Sequence, residues 1–402
     1  MSAPLRWLTL IGIGEEGRDG LSSGAMRLLA QARFIVGGAR HLELLGKTEA
    51  ETMTWPTPFA DGIKAILARR GTPVCVLASG DPFLYGVGSV LVREVSPDEM
   101  VCLPAPSSLS LAAARLGWAL QDCEIVSLHG RTFEGIIPHL RPAAKLLILS
   151  WDETTPAKLA ALLSKRGLGA ARLAVFEALG GPREKIRDSR AMDFVTADVD
   201  PLNLVAIEIP AEIEATYIPL TPGLPDELFE TDGQITKRDI RALTLSALAP
   251  WPGAVLWDVG AGSGSIAIEW MLAHPRNRAH AIEVREDRAQ RIARNAAALG
   301  TPDLNIVTGK APAVFEKLPQ PDAIFIGGGG PHVIDAAYKL LPRGGMFVVN
   351  AVTLETQSFV TERHAQIGGR LILIDIAEAD RLGAYRSWQR ARPIVQWAVR
   401  KP

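Results

Sequence analysis

Between Trp257 and Glu269 the chain reads WDVGAGSGSIAIE, a carboxylate (Asp258) closing an apolar run, then Gly260, Gly262 and Gly264 at alternate positions ahead of an amphipathic stretch. Residues without a β-carbon let the backbone turn tightly and come close to a ligand, while the helix that follows aims its N-terminus at the same place. Such a loop is a cradle for a nucleotide-type ligand. The acid ahead of it favours a cationic ligand, and the spacing differs from the GxGxxG of pyrophosphate loops, whose third glycine comes one residue later. A second acid, Glu283, ends the next apolar run, AHAIEV (Ala279 to Val284), where it can accept both hydroxyls of a ribose. Glycine serving only the packing of a strand, turn and helix is the plain alternative.

The first half carries a second constellation. GIGEEG (Gly12 to Gly17) looks like a dinucleotide loop, but Glu15 and Glu16 stand where a pyrophosphate needs a neutral or positive cradle, and no strand-ending acid follows about 20 residues later, where FIVGGAR stands instead. ASGDPFLYG (Ala78 to Gly86) puts Gly80, Asp81 and Pro82 at a strand end, a rigid turn with a carboxylate. PAPSSLSLAAARLG (Pro104 to Gly117) sets Ser107 and Ser108 at a helix start, where they can cap the helix or bond a ligand.

The DxGxGxG loop and its following acid resemble the S-adenosylmethionine (SAM) site of class I methyltransferases. The order of GIG loop, GDPxxYG turn and serine turn resembles the tetrapyrrole methylase family, the class III SAM-dependent methyltransferases. That resemblance implies Gly80, Asp81, Pro82 and Tyr85 near SAM, Ser107 and Ser108 beside its methionine part or ribose, and Gly12 and Gly14 bordering a macrocycle. In the second half it implies SAM contacts from Thr236, Asp258, Gly260, Gly262, Gly264, Glu283 and the backbone at Ala311. Two departures stand out. The opening motif is not the commoner GPGD, having Ile13 between its glycines and Glu15 after them, and Lys310 occupies the place of an acid that often bonds the adenine amine.

A class III domain followed by a class I domain resembles a bifunctional family of corrin-ring methyltransferases in cobalamin biosynthesis. The resemblance implies two SAM sites per chain, methylation of C5 by one domain and of C15 by the other, and decarboxylation of the C12 acetate. It also implies a tetrapyrrole as the small-molecule substrate, a homo-oligomer and a cytoplasmic enzyme. The reduced macrocycle supplies an electron-rich carbon and an electron sink, so the protein needs chiefly to position reactants and exclude water. No side chain is assigned as general acid or base. Cations must meet the substrate's carboxylates, and arginine forks suit them best. Arg381, Arg386, Arg390 and Arg392 near the C-terminus are candidates, with Lys237, Arg238 and Arg241 ahead of the cradle. Gly327 to Gly330, with Gly328 and Gly329 at their centre, leave room for a flat ligand. His129, His332 and His364 are isolated and suit structural or surface roles.

These residues need two α/β scaffolds to hold them. The 402 residues exceed one ordinary core. Aliphatic runs at Trp7–Gly14, Phe34–Gly38, Pro73–Gly80, Glu124–His129, Lys145–Ser150, Arg172–Glu177 and Leu202–Ile209 alternate with helical stretches, which predicts a mostly parallel sheet in residues 1–210. A Rossmann-like class I domain is expected over 234–402, where LNIVTG (Leu304 to Gly309) and DAIFIGGGG (Asp322 to Gly330) extend the alternation. Pro210 to Gly233, with four prolines, six acidic residues and no Lys or Arg, is expected to be a linker over 211–233.

A net charge of -1 with 22% charged residues argues against a general nucleic-acid or membrane-surface binder. No apolar stretch reaches the ~18 residues of a membrane span, and the start of the chain carries no signal-peptide pattern. Three scattered cysteines, Cys75, Cys102 and Cys123, fit a reduced protein with no disulfide framework and no metal site. Three competing functions remain open: RNA or protein methylation by the second domain, a first domain that only carries a macrocycle, and a nicotinamide oxidoreductase built on GIGEEG. The charge, and glycines where an NPPY-like motif would stand after the fourth strand, weigh against the first.

Overall fold

The structure, a computed structural model, describes residues 6–195 and 198–402. It divides into two compact units: the first takes the described residues up to Arg131 together with Pro142–Thr216, the second Thr132–Arg141 and Tyr217–Pro402.

The first unit holds two five-stranded sheets. β1 (Leu8–Ile13), β2 (Phe34–Gly37), β3 (Glu51–Thr54), β4 (Val74–Ser79) and β5 (Met100–Leu103) pair in the order β3-β2-β4-β1-β5, every pair parallel. β1 is buried along its whole length, as expected of a parallel strand covered on both faces. Its neighbour β4 is buried except at Ser79, its last residue. β1, β4 and β5 are adjacent and parallel, so the loops after them, carrying Gly14, Asp81 and Ser107, leave the sheet on one edge.

The second sheet comprises β6 (Glu124–Ser127), β7 (Lys145–Leu149), β8 (Arg172–Glu177), β9 (Lys185–Arg190) and β10 (Asn203–Glu208), ordered β6-β7-β10-β8-β9. Only β6 and β7 run parallel, and the other three pairs are antiparallel. The expected mostly parallel arrangement therefore holds for one sheet and not for the other. Two of these pairs belong to β10, and the third to β9, KIRDSR, an edge strand with no apolar run to announce it, reached from β8 through a short loop that suits an antiparallel return.

The second unit is a single seven-stranded sheet with a detached hairpin. Its strands are β11 (Val255–Val259), β12 (Arg278–Glu283), β13 (Asn305–Thr308), β14 (Ala323–Ile326), β15 (Met346–Ala351), β16 (Arg370–Ile374) and β19 (Ile394–Arg400), ordered β13-β12-β11-β14-β15-β19-β16. β11 to β15 are parallel, and β19 runs antiparallel to both neighbours. Strand order reverses between β11 and β14. At such a switch point the loops beyond the carboxyl ends diverge and open a crevice for a ligand. β17 (Ala377–Leu382) and β18 (Tyr385–Arg390) pair only with each other.

From Tyr217 onward the proline-rich stretch expected as a linker clusters with the second unit. Leu224 and Phe229 are buried there. With one short 3-10 turn, Asp226–Leu228, as its regular structure, the segment satisfies further N–H groups through side chains: Gly223 and Leu224 N–H donate to the Glu269 carboxylate at 2.7 and 3.0 Å, and Glu230 N–H to Asn295 Oδ1 at 2.8 Å. No described helix is long and apolar enough to cross a membrane.

Candidate functional site

In the first unit the loops after β1, β4 and β5 border a cavity of about 770 Å³, closed on its far side by residues after β7 and before β10. Gly14, Gly80, Asp81, Tyr85, Ser107 and Ser108 all line it. Gly12 and Pro82 lie behind that wall. A β-carbon on Gly12 would stand 1.8 Å from the Gly80 carbonyl oxygen and 2.5 Å from Ala105 N, so Gly12 lets the GDP turn close onto the opening strand. Ala105 N–H donates to Gly80 O at 3.0 Å and Gly80 N–H to Ile13 O at 3.3 Å, which fixes the three loops to one another.

Asp81 Oδ1 accepts Phe83 N–H at 2.8 Å and so shapes its own turn. Tyr85 is held at φ 54, a left-handed conformation that costs a non-glycine residue about 1 kcal/mol or more. The residue is 51% exposed, and the Arg131 guanidinium lies 5.5 Å from its ring centroid. Ser107 is the N-cap of helix Ser108–Leu116, accepting Ser110 N–H at 3.2 Å. Of the roles foreseen for the serine turn, capping falls on Ser107, and both serines line the cavity.

Three lining residues, Arg40, His41 and Ser79, received no role from the sequence, although Ser79 lies within ASGDPFLYG and Arg40 ends FIVGGAR. Arg40 donates to Ser79 Oγ at 2.7 Å and forms a short ion pair with Glu15, which Arg183 also approaches at 3.4 Å. Glu15 of GIGEEG is thereby faced by two guanidinium groups. Their one sequence signal was position, directly after β2 for the pair and directly before the GDP turn for Ser79.

In the second unit the glycine cradle sits at the switch point. Gly260, Gly262 and Gly264 have φ of 76, 61 and 77, the left-handed region open to glycine at little cost. A β-carbon on Gly264 would meet Ile292 Cγ2 at 2.7 Å, and one on Gly260 would stand 3.0 Å from Gly328 N. The loop after β11 and the loop after β14 therefore touch through backbone alone. Gly262 faces only Gln234 O, at 3.4 Å, two residues before Thr236.

Asp258 is 1% exposed. Its Oδ2 accepts Ala267 N–H at 3.1 Å, while its Oδ1 has no hydrogen-bond partner among the described residues. Burial pushes this carboxyl up to about 7, against the pull of the Ala267 bond, and the neighbouring Glu283 charge adds to the rise. Glu283 accepts Gly262 N–H at 3.0 Å on one oxygen, and Val284 and Arg285 N–H at 2.9 and 3.0 Å on the other. These fixed acceptors beside a β-carbon-free loop suit a ligand with a ribose and a positive charge. Ala311 is half-buried beside the core, and Lys310 points outward, exposed.

Several expectations need adjusting. Arg241, offered as a cation for substrate, is fully buried, paired with Glu269 and bonded to the carbonyls of Leu224 and Thr236. It braces the segment that carries Thr236. The run Gly327–Gly330 is only partly free: a β-carbon on Gly329 would meet Val333 at 2.9 Å and one on Gly327 would meet Phe325 at 3.1 Å, whereas Gly328 and Gly330 face nothing within 4 Å. Arg381 and Arg386 lie directly opposite one another on the exposed hairpin. Among the described residues no cluster of three or more His, Cys, Asp or Glu could hold a metal ion.

Residues 7–194 match the family described as Tetrapyrrole (Corrin/Porphyrin) Methylases, and residues 227–401 the one described as Precorrin methyltransferase domain. The chain is 52% identical over 398 residues to a Sinorhizobium protein named precorrin-6Y C(5,15)-methyltransferase [decarboxylating], covering 98% of this chain and 96% of that one. Two shorter relatives are similar to less than half of it. A probable cobalt-precorrin-6B C(15)-methyltransferase (decarboxylating) of Pyrobaculum calidifontis is 37% identical over 43% of this chain and 93% of its own. A cobalt-precorrin-7 C(5)-methyltransferase of Salmonella typhimurium is 30% identical over 44% of this chain and 88% of its own.

Proposed function

The chain belongs to the precorrin-6Y C(5,15)-methyltransferase (decarboxylating) family, and from that membership we propose that its two reactions are divided between two SAM sites, one in each unit. As a member it is a SAM-dependent methyltransferase of cobalamin biosynthesis that methylates a precorrin at C5 and C15 and decarboxylates it. In the division proposed, the cleft of residues 1–210 methylates C5, and residues 234–402 methylate C15 and release the C12 acetate carboxyl as CO2. The observation that carries this reading is the presence of a complete loop constellation in each unit, a cavity lined by Gly80, Asp81 and Ser107 in one and the Gly260–Gly264 cradle with Glu283 in the other. Support also comes from C(5) and C(15) enzymes existing as separate, shorter relatives.

SAM, when bound, supplies an electrophilic methyl on a sulfonium. In the second unit Glu283 is set to accept the ribose hydroxyls, Asp258 to place negative charge under the cradle, and the left-handed glycines to let the ligand lie against the backbone. Thr236 and the Ala311 backbone would close the site. In the first unit Asp81 and Tyr85 on their rigid turn and Ser107 and Ser108 at the helix start would hold SAM, with Gly14 on the substrate side and Gly12 and Pro82 supporting the turn. The macrocycle's own nucleophilic carbon makes positioning and water exclusion the main demands on the protein.

The substrate in the second unit is read as a flat ring edged with carboxylates, lying beside Gly328 and Gly329. Side chains alternate along a strand, so Arg381 and Arg386 share one hairpin face with Trp388. Guanidinium forks beside an indole suit both the carboxylates and the ring. The opposite face carries Leu382 and Tyr385, 67% and 81% exposed. A two-stranded ribbon is marginal by itself, and that face suits association with a second copy of the chain.

Incubating the whole chain with SAM and purified precorrin-6Y, and counting methyl additions and CO2 loss by mass, tests the division. Asp81→Ala should remove one methyl addition and spare decarboxylation; Gly262→Arg should remove the other together with CO2 loss. If both variants lose the same product, the division is wrong.

A further inference from the structure

The cavity of the first unit contains a hydrogen-bond arrangement whose direction follows from the His41 tautomer that one backbone bond selects. Gly38 N–H donates to His41 Nδ1 at 3.3 Å. A ring nitrogen that accepts carries no proton, so in the neutral imidazole the proton is on Nε2. Nε2 lies 2.9 Å from Ser79 Oγ and 3.2 Å from Arg40 Nη2; the guanidinium is itself a donor, so in this tautomer the Nε2 proton goes to Ser79 Oγ. Arg40 has only donors, and its Nη2 reaches the same oxygen at 2.7 Å. Both lone pairs of the Ser79 hydroxyl are thus occupied by N–H groups. Its own proton can go to neither neighbour. Ser79 is the exposed last residue of β4 and lines the cavity with Gly14, Glu15 and Asp81, so the O–H is left to donate into that space.

The imidazole stays neutral because burial lowers its pKa, reinforced by the Arg40 charge, to about 4. Arg40 is in turn held by its ion pair with Glu15, whose side chain is 9% exposed. Arg40 thus meets Glu15 through Nη1 and Ser79 through Nη2. This accounts for the acidic opening loop: Glu15 anchors a cation that orients a hydroxyl.

We propose that the Ser79 hydroxyl is a substrate-binding donor of the first cleft, oriented by Arg40 and His41 as positioning residues, and that it takes a carboxylate oxygen on the side-chain rim of the tetrapyrrole. The proposal rests on the reading of this cleft as a methylation site. The carboxylate of SAM's methionine is the other ligand of the same chemistry, and the measurement separates the two.

The experiment uses the whole chain with SAM and precorrin-6Y, following the methyl addition that Asp81→Ala removes. The expected result for Ser79→Ala is a KM for the tetrapyrrole raised about 10-fold, as for loss of one hydrogen bond to a charged group, with kcat and SAM affinity within twofold. His41→Leu should shift KM in the same direction, and His41→Gln, whose amide N–H can replace Nε2–H, should restore most of it. A merely structural role would not produce that rescue or confine the change to KM. Unchanged KM in Ser79→Ala, or a change in SAM affinity instead, overturns the proposal while leaving the cleft reading intact. If Asp81→Ala removes no methyl addition, the cleft reading itself fails and the proposal fails with it.

Discussion

The carboxylate of Glu283, at the end of β12, accepts the N–H of Gly262 at 3.0 Å, so the acid expected to bind a ribose also holds the middle glycine of the cradle. Its other oxygen is shared by Val284 and Arg285 N–H. Glu283→Gln keeps the shape but turns one acceptor into a donor facing an N–H. One charge-assisted bond is replaced by a repulsion, which corresponds to roughly 1.4 to 2.8 kcal/mol and a 10- to 100-fold loss of SAM affinity at the second unit. Calorimetry on the whole chain should show one of two binding events weakened and the other unchanged.

Asp258 gives that unit a pH dependence. Its folded-state pKa, about 7, lies above the ordinary value of 3.8, so between these values the folded chain holds a proton that the unfolded chain has lost. Stability from this group is therefore greatest at low pH, declines as pH rises from about 4 to about 7, and is level above. A cationic ligand favours the ionised form, so SAM binding should release a proton near neutrality and tighten as pH rises from 6 to 8. Asp258→Asn should flatten that pH profile and abolish the proton release, measured by calorimetry in buffers of different ionisation heat.

The parts legible in the sequence were those with a short-range physical cause. Alternating apolar runs foretold β1, β4 and β11 to β14, and the glycines at 260, 262 and 264 announced a tight turn, which the chain makes with left-handed backbone at the switch point. β9 was hidden because KIRDSR is a polar edge strand whose partner is chosen by the hairpin return. Arg241 looked like a surface cation because its partners are Glu269, Asp226 and carbonyls from a segment that holds just one short 3-10 turn. Ser79, Arg40 and His41 were silent for a similar reason. They come from two separate strand ends, and only the parallel β2–β4 pairing brings them together.

The Arg241 brace can be cut. Arg241→Met would leave Glu269, 5% exposed, with only the Gly223 and Leu224 N–H bonds. Breaking a buried ion pair from one side costs about 3–5 kcal/mol, which for a unit of this size is a fall of roughly 10 °C in melting temperature. Because the guanidinium also holds the Thr236 carbonyl, hydrogen exchange along residues 223–236 should speed up more than in the β11–β15 sheet. Uniform acceleration across the second unit would argue that Arg241 supports the core and not this segment.

Gly262 separates backbone strain from occupied space. Its β-carbon position is nearly open, with Gln234 O at 3.4 Å, but its φ is 61. Gly262→Ala should therefore cost only the left-handed penalty of about 1 kcal/mol, leaving methyl transfer by the second unit within several-fold of normal. Gly262→Arg carries the same backbone penalty and adds a long cationic side chain to the face on which the proposed site would seat SAM's positive charge. SAM stoichiometry should then fall from two equivalents to one, with melting temperature close to that of Gly262→Ala. Equal SAM binding by the two variants would mean that the ligand does not lie against this glycine.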